Sequence, residues 1–191
     1  MEPAPGLRWR ELLTAALAVL DGHERVVVDL LGSAVSVVVP LLQRDGRLVG
    51  RPRFEIESGS VSTAVGAVFL SPGDWDPRQF AEALVHEAHH QLLNAALMAF
   101  DFVGDHEAEM ASPWKPGPRP ASALLHGIVA FSAVRRFWIQ EALRGGGTYG
   151  EIDRRGVQVL EAAEVVLGSR ALTDLGVELV EEAVSAVLKQ E

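Results

Sequence analysis

Apolar residues recur at helical spacing at both ends of the chain and at strand spacing only between residues 26 and 70. Over residues 7–21, Trp9, Leu12, Leu13, Ala16, Leu17 and Leu20 form one stripe and Gly22 stops it, which predicts a helix. Two β-branched runs follow, Val26-Val27-Val28 and residues 35–39, and both read as strands ending at or soon after Pro40. Arg44-Asp45-Gly46 reads as a turn. Beyond it Phe54 and Ile56 alternate with Glu55 and Glu57, so the first pair faces inward and the second faces water. Residues 64–70 are apolar on both sides and predict an interior strand. The expectation is a helix followed by a small, mostly antiparallel sheet.

Ser71-Pro72-Gly73-Asp74 breaks that pattern, and helical spacing returns. Asp76 is suited to cap a helix, with Pro77 at its first position and Gln79 three residues after the cap. Phe80, Ala83, Leu84, Leu92, Leu93, Ala96 and Leu97 continue it. A second long helical pattern covers residues 121–144, with Leu124, Leu125, Ile128, Val129, Phe131, Val134, Phe137 and Trp138. Pro113, Pro116, Pro118 and Pro120 stand between the two, and helix cannot run through them. Gly145-Gly146-Gly147 is a flexible break, too short for a phosphate loop and without a following G-K-[ST]. Residues 157–167 and 174–189 predict two amphipathic helices, the second capped by Thr173. The fold expected is α+β in one domain, residues 1–191. Residues 1–72 would supply the helix and sheet, 73–144 a helix-rich metal-binding half, and 145–191 the C-terminal helices.

Composition narrows the partners. A net charge of −9 argues against nucleic acid or an anionic membrane, both of which need clustered Lys and Arg, and is mildly compatible with a cationic peptide. The absence of cysteine excludes disulfides, thiolate zinc sites, a cysteine nucleophile and a cysteine-held iron–sulfur cluster in this chain, and suits a reducing cytoplasm. Residues 1–6 lack the basic and apolar regions of a signal peptide. The longest apolar run, residues 34–42, falls well short of the ~20 residues that span a membrane.

Inside the first long helix lies His86-Glu87-Ala88-His89-His90, an H-E-x-x-H pentapeptide. One helical turn separates His86 from His90, so both imidazoles leave one face and can grip one divalent metal. Ala83, Leu93 and Leu97 share that face, and neutral imidazoles without partners there would be costly, which favours a metal over paired core histidines. Glu87 then sits where it can handle protons of a bound water, its plain alternative being a solvated helix glutamate. His89 projects about 60° from His86 and borders the pair. The third ligand separates the metal-enzyme classes. A metzincin would need glycine and histidine where this chain has Leu93 and Ala96. Glu107 and Glu109 are too close, in what reads as a loop, and Glu141 is the candidate a zinc peptidase would use. His126 is the strongest candidate, although a lone helical histidine is usually a core residue. The stiff loop before it folds back toward the preceding helix, and its Lys115 and Arg119 can meet an anionic ligand. The bland alternative for the loop is a Pro-rich connector.

His86-Glu87-x-x-His90 with Ser112-Pro113-Trp114-Lys115, Pro118-Arg119-Pro120 and Leu124-Leu125-His126-Gly127 resembles the HExxH domain of enzymes that modify ribosomally made peptides. These domains occur alone or fused behind a radical-SAM domain, whose cluster-binding cysteines this chain lacks. The resemblance covers roughly residues 69–138. It implies an iron(II)- and 2-oxoglutarate-dependent dioxygenase that hydroxylates the β-carbon of a residue in a precursor peptide. His86, His90 and His126 would hold iron, leaving positions for 2-oxoglutarate and dioxygen. Arg119, then Arg135, would meet the distal carboxylate of 2-oxoglutarate, with Lys115 nearby. Three histidines replace the usual two histidines and a carboxylate, so Glu87 stays open as an acidic ligand. Two other readings compete: a zinc peptidase with Glu87 as general base, and a non-catalytic peptide-binding domain whose histidines are structural.

Overall fold

A computed structural model describes residues 5–41, 58–71, 75–147 and 149–189. The expected turn at Arg44-Asp45-Gly46 and the alternation from Phe54 to Glu57 lie outside these residues. The fold is α+β, with six helices and five short strands among the described residues. The chain forms two compact units, Met1–Leu92 and Leu93–Glu191, whose division falls between the expected segment boundaries at 72 and 144.

In the first unit, α1 (Pro5–Asp21) matches the expected helix, and its Trp9, Ala16 and Leu20 are buried. The indole of Trp9 donates to the carbonyl of Leu70 at 3.3 Å and meets the Phe80 ring edge-on. The strand expected at Val26-Val27-Val28 is instead part of a helix, α2 (Arg25–Ala34). Val27, Leu30, Leu31 and Ala34 fall at helical spacing and are partly or fully buried, as is Val28, while Arg25 and Asp29 pair one turn apart at 2.9 Å. Burial of that stripe outweighs the strand preference of three valines, since propensity is a weak prior.

β1 (Val37–Pro40), β2 (Ser58–Ser60) and β3 (Ala67–Leu70) form one sheet with β3 in the centre. β2 pairs with it antiparallel, Ser58 opposite Leu70, whereas β1 pairs parallel, Val37 opposite Ala67. With the antiparallel pair described below, two of the three strand pairings among the described residues are antiparallel. The interior strand expected from residue 64 begins only at Ala67. Gly66 turns the chain before it with φ 79°, and its carbonyl accepts the amides of Ser36 and Val37 at 2.8 and 3.1 Å. A Cβ there would stand 2.9 Å from the Ser36 hydroxyl, so both backbone angle and space call for glycine.

α3 (Pro77–Leu97) starts as expected. Asp76 Oδ1 accepts the amides of Arg78 and Gln79 at 2.7 and 3.0 Å, and Gln79 Oε1 accepts the Asp76 amide at 3.0 Å, a complete capping box. Gln91, 2% exposed, fixes the middle of α3 to the sheet. Its Oε1 accepts the amide of Gly66 at 3.1 Å, and its Nε2 donates to the carbonyl of Ala67 at 3.0 Å.

The second unit holds the antiparallel pair β4 (Glu109–Met110) and β5 (Arg119–Pro120), then α4 (Ala121–Leu143), α5 (Tyr149–Ser169) and α6 (Asp174–Lys189). Leu124, Leu125 and Ile128 of α4, Val159, Ala162, Ala163 and Val166 of α5, and Val180 and Val187 of α6 build its core. The Thr173 hydroxyl caps α6 by accepting the Gly176 amide at 3.2 Å, as its sequence predicts. Among the described residues, no helix is long and apolar enough to cross a membrane.

The seam at Gln91 has a measurable cost. Gln91→Leu keeps the volume but leaves the Gly66 amide and the Ala67 carbonyl buried without partners. Urea unfolding is expected to show a loss of about 2–4 kcal/mol, and a loss below about 0.5 kcal/mol would mean that the seam is unimportant.

Candidate metal centre

The pentapeptide sits in the middle of α3, away from both of its ends. His86 and His90 are half-buried, and their Nε2 atoms lie 2.9 Å apart with ring planes at 89°. Without metal, one neutral ring donates to the other. The donor chemistry also fits an ion: two imidazole nitrogens each ~2.1 Å from one metal, at roughly right angles, stand ~3 Å apart. Two neutral nitrogen donors on one rigid helical turn therefore make a preformed pair.

Glu87 faces elsewhere. It is 3% exposed, which overturns the plain reading as a solvated helix glutamate. The Ser58 hydroxyl of β2 donates to its Oε1 at 2.7 Å. Glu87 and Gln91 repeat the spacing of His86 and His90 one residue on, so the helix carries a polar seam to the sheet beside its histidine pair. The spacing made this seam visible in principle, but its partners Ser58 and Gly66 were not, because only the fold brings them there. His89 is the histidine that borders the pair. Its Nδ1 lies 2.8 Å from the carbonyl of Val85, so Nδ1–H donates and Nε2 carries the lone pair. Burial lowers its pKa, partly opposed by that bond.

His126 stands on α4 in the second unit, half-buried, and burial lowers its pKa too. The loop before it is tied to the same helix. The Trp114 indole stacks on the Phe131 ring at 5.1 Å, and the Arg155 guanidinium lies 4.4 Å from the centre of that ring. Gln158 of α5 donates to the Pro113 carbonyl at 3.4 Å. Gly127 is what admits the indole, since a Cβ there would sit 2.3 Å from Trp114 Cζ3. The Pro-Trp-Lys loop and Leu-His-Gly thus meet in one contact, Trp114 over Gly127, the residue after His126. Lys115 is exposed and Arg119 half-buried in β5.

Arg135 is not part of that neighbourhood. It follows His126 by about two and a half helical turns, so the two leave opposite faces of α4. Glu141, the peptidase candidate, is buried with its Oε1 accepting from Arg144 Nη1 at 3.2 Å. Among the described residues, no three His, Cys, Asp or Glu side chains gather as a group that could hold a metal. No protein-family model matches the chain, and no curated protein does either.

Two outcomes follow from this geometry. Gly127→Ala drives the Trp114 indole off α4, with an expected loss of about 1–3 kcal/mol and a changed tryptophan emission; unchanged emission would refute the contact. Acid should weaken the metal-free protein. His89 and His126 bind protons less readily folded than unfolded, so their contribution is present above pH about 6.5 and is lost as pH falls through the lower folded values. A series of urea midpoints from pH 7.5 to 5 checks this, and His126→Gln is expected to flatten the slope.

Proposed function

We propose that this chain is a cytoplasmic iron(II)- and 2-oxoglutarate-dependent oxygenase that hydroxylates the β-carbon of a residue in a ribosomally made peptide. The observation that carries the metal part of this reading is the His86–His90 pair, whose Nε2 atoms stand 2.9 Å apart on one turn of α3. Iron held there would supply, with 2-oxoglutarate and dioxygen, the oxidising power to hydroxylate an unactivated C–H bond. His126 enters as third ligand on the sequence resemblance alone, as do the peptide substrate and a radical-SAM partner, fused or in trans.

The protein's own groups have distinct tasks in this reading. Glu87 accepts from Ser58 and so fixes the rotation of α3 and the aim of the histidines. That engagement disfavours the zinc-peptidase reading, in which the same carboxylate must turn to a water and take its proton. Arg119 offers a planar fork for the distal carboxylate of 2-oxoglutarate, with Lys115 adding charge nearby. Arg135, on the far face of α4 from His126, drops out of that role.

Anaerobic loading with iron(II), followed by 2-oxoglutarate and oxygen, tests the reading by succinate formation, which many such enzymes show without peptide. His86→Ala, His90→Ala and His126→Ala are expected to abolish it. Arg119→Met should raise the 2-oxoglutarate requirement about 10-fold or more, the worth of a charge-assisted fork. Glu87→Gln should retain about 1–10% of turnover, since it still accepts from Ser58. Zinc-dependent peptide cleavage without succinate, abolished outright by Glu87→Gln, would establish the peptidase instead.

A further inference from the structure

Large apolar side chains lie exposed where α3 ends and α6 begins. Met98 and Phe100, just past the end of α3, are 78% and 56% exposed, and Leu175 in the first turn of α6 is 39% exposed. Backbone contacts hold these two segments together. The Phe102 carbonyl accepts the Thr173 amide at 3.1 Å, and the Thr173 hydroxyl donates to the Asp101 carbonyl at 2.7 Å. A Cβ on Gly176 would collide with the Phe102 carbonyl oxygen, so glycine is what lets them close. The Phe100 ring meets the buried Phe102 ring edge-on at 6.2 Å, which anchors one side of it. A single exposed apolar residue needs no explanation, but a cluster on adjoining segments marks a contact surface.

The charge around that cluster is of one sign. Residues 93–114 contain Asp101, Asp105, Glu107 and Glu109 but neither Lys nor Arg, and residues 171–188 begin with Asp174 and Glu178 and also lack both. All six carboxylates are exposed. Asp101, Asp174 and Glu178 take part in no ion pair among the described residues. The carbonyl end of α3 adds to the negative potential, since its last turn carries no basic residue of its own. Arg170, exposed after the end of α5, borders the face with the opposite sign.

We propose that this face binds a cationic peptide segment, whose large apolar side chains cover Met98, Phe100 and Leu175 while its Lys or Arg meet the surrounding carboxylates. Charge selects that occupant. A second copy of the chain would set carboxylate against carboxylate across a two-fold axis, and a net charge of −9 opposes both self-association and an anionic bilayer. The proposal concerns the second unit alone and stands apart from the histidine pair and the oxygenase reading.

The test selects a displayed library of random linear peptides on the full chain. Winners are expected to combine Lys or Arg with Leu, Phe or Trp, to carry net positive charge, and to bind more weakly as salt is raised. For a synthetic winner, Phe100→Ser should cost about 10-fold or more in affinity, and Asp101→Asn with Asp174→Asn about 2–10-fold. Tm should hold in these variants, because the side chains replaced are exposed. Leu143→Ser, at an exposed apolar residue ending α4, should leave affinity unchanged. No winners, neutral or acidic winners, or affinity that survives Phe100→Ser would overturn the proposal. So would self-association in sedimentation, or binding to phosphatidylcholine–phosphatidylglycerol vesicles, that Phe100→Ser abolishes, since the face would then belong to a second copy or to a membrane.

Discussion

The first unit depends on a polar seam between α3 and the sheet. Glu87 and Gln91 are nearly inaccessible, and both sit where an apolar helix would place leucines. Both meet the sheet: Ser58 of β2 donates to Oε1 of Glu87, while the amide of Gly66 and the carbonyl of Ala67 meet Gln91. Apolar packing would let α3 slide or roll by fractions of a turn at little cost. Hydrogen bonds in a buried seam do not, because each misplaced partner is an unsatisfied polar group. One residue back at each position stand His86 and His90, so what fixes the seam also fixes where the imidazoles point.

The second unit uses the opposite device. A flat aromatic face is laid against bare helix backbone, Trp114 over Gly127, and a further ring and a guanidinium complete the stack. Prolines stiffen the loop, but the indole decides where it lies. Gly127 sacrifices helix propensity next to a candidate ligand, and the contact with Trp114 accounts for that loss.

Local signals were the ones the sequence displayed well. The cap at Asp76 could be read because all its partners lie within three residues, and the long helices because many turns repeat the same spacing. The helix at residues 25–34 was missed because three adjacent valines carry a strong local bias, while the period linking Val27, Leu30, Leu31 and Ala34 becomes visible only over a longer window. The parallel pairing of β1 with β3 escaped for another reason: alternation marks a strand but not its neighbour's direction. The histidine pair was legible from spacing alone. Ser58 was not, since a serine in a short polar strand says nothing until a buried carboxylate is found against it.

The hydroxyl on Glu87 bears on chemistry as well as on packing. The H-E-x-x-H pentapeptide is compatible with two tasks for its glutamate, and they make opposite demands. A hydrolytic base needs a carboxylate turned to a water, with a pKa near the working pH and freedom to pass the proton on. A residue that sets the aim of metal-binding imidazoles needs a carboxylate that is buried and held. Ser58 holds Glu87 in the second way, donating to its Oε1 at 2.7 Å. Under the proposed reading the same five residues serve the aim of the imidazoles rather than hydrolysis, and the distinction rests on an oxygen that β2, not α3, provides.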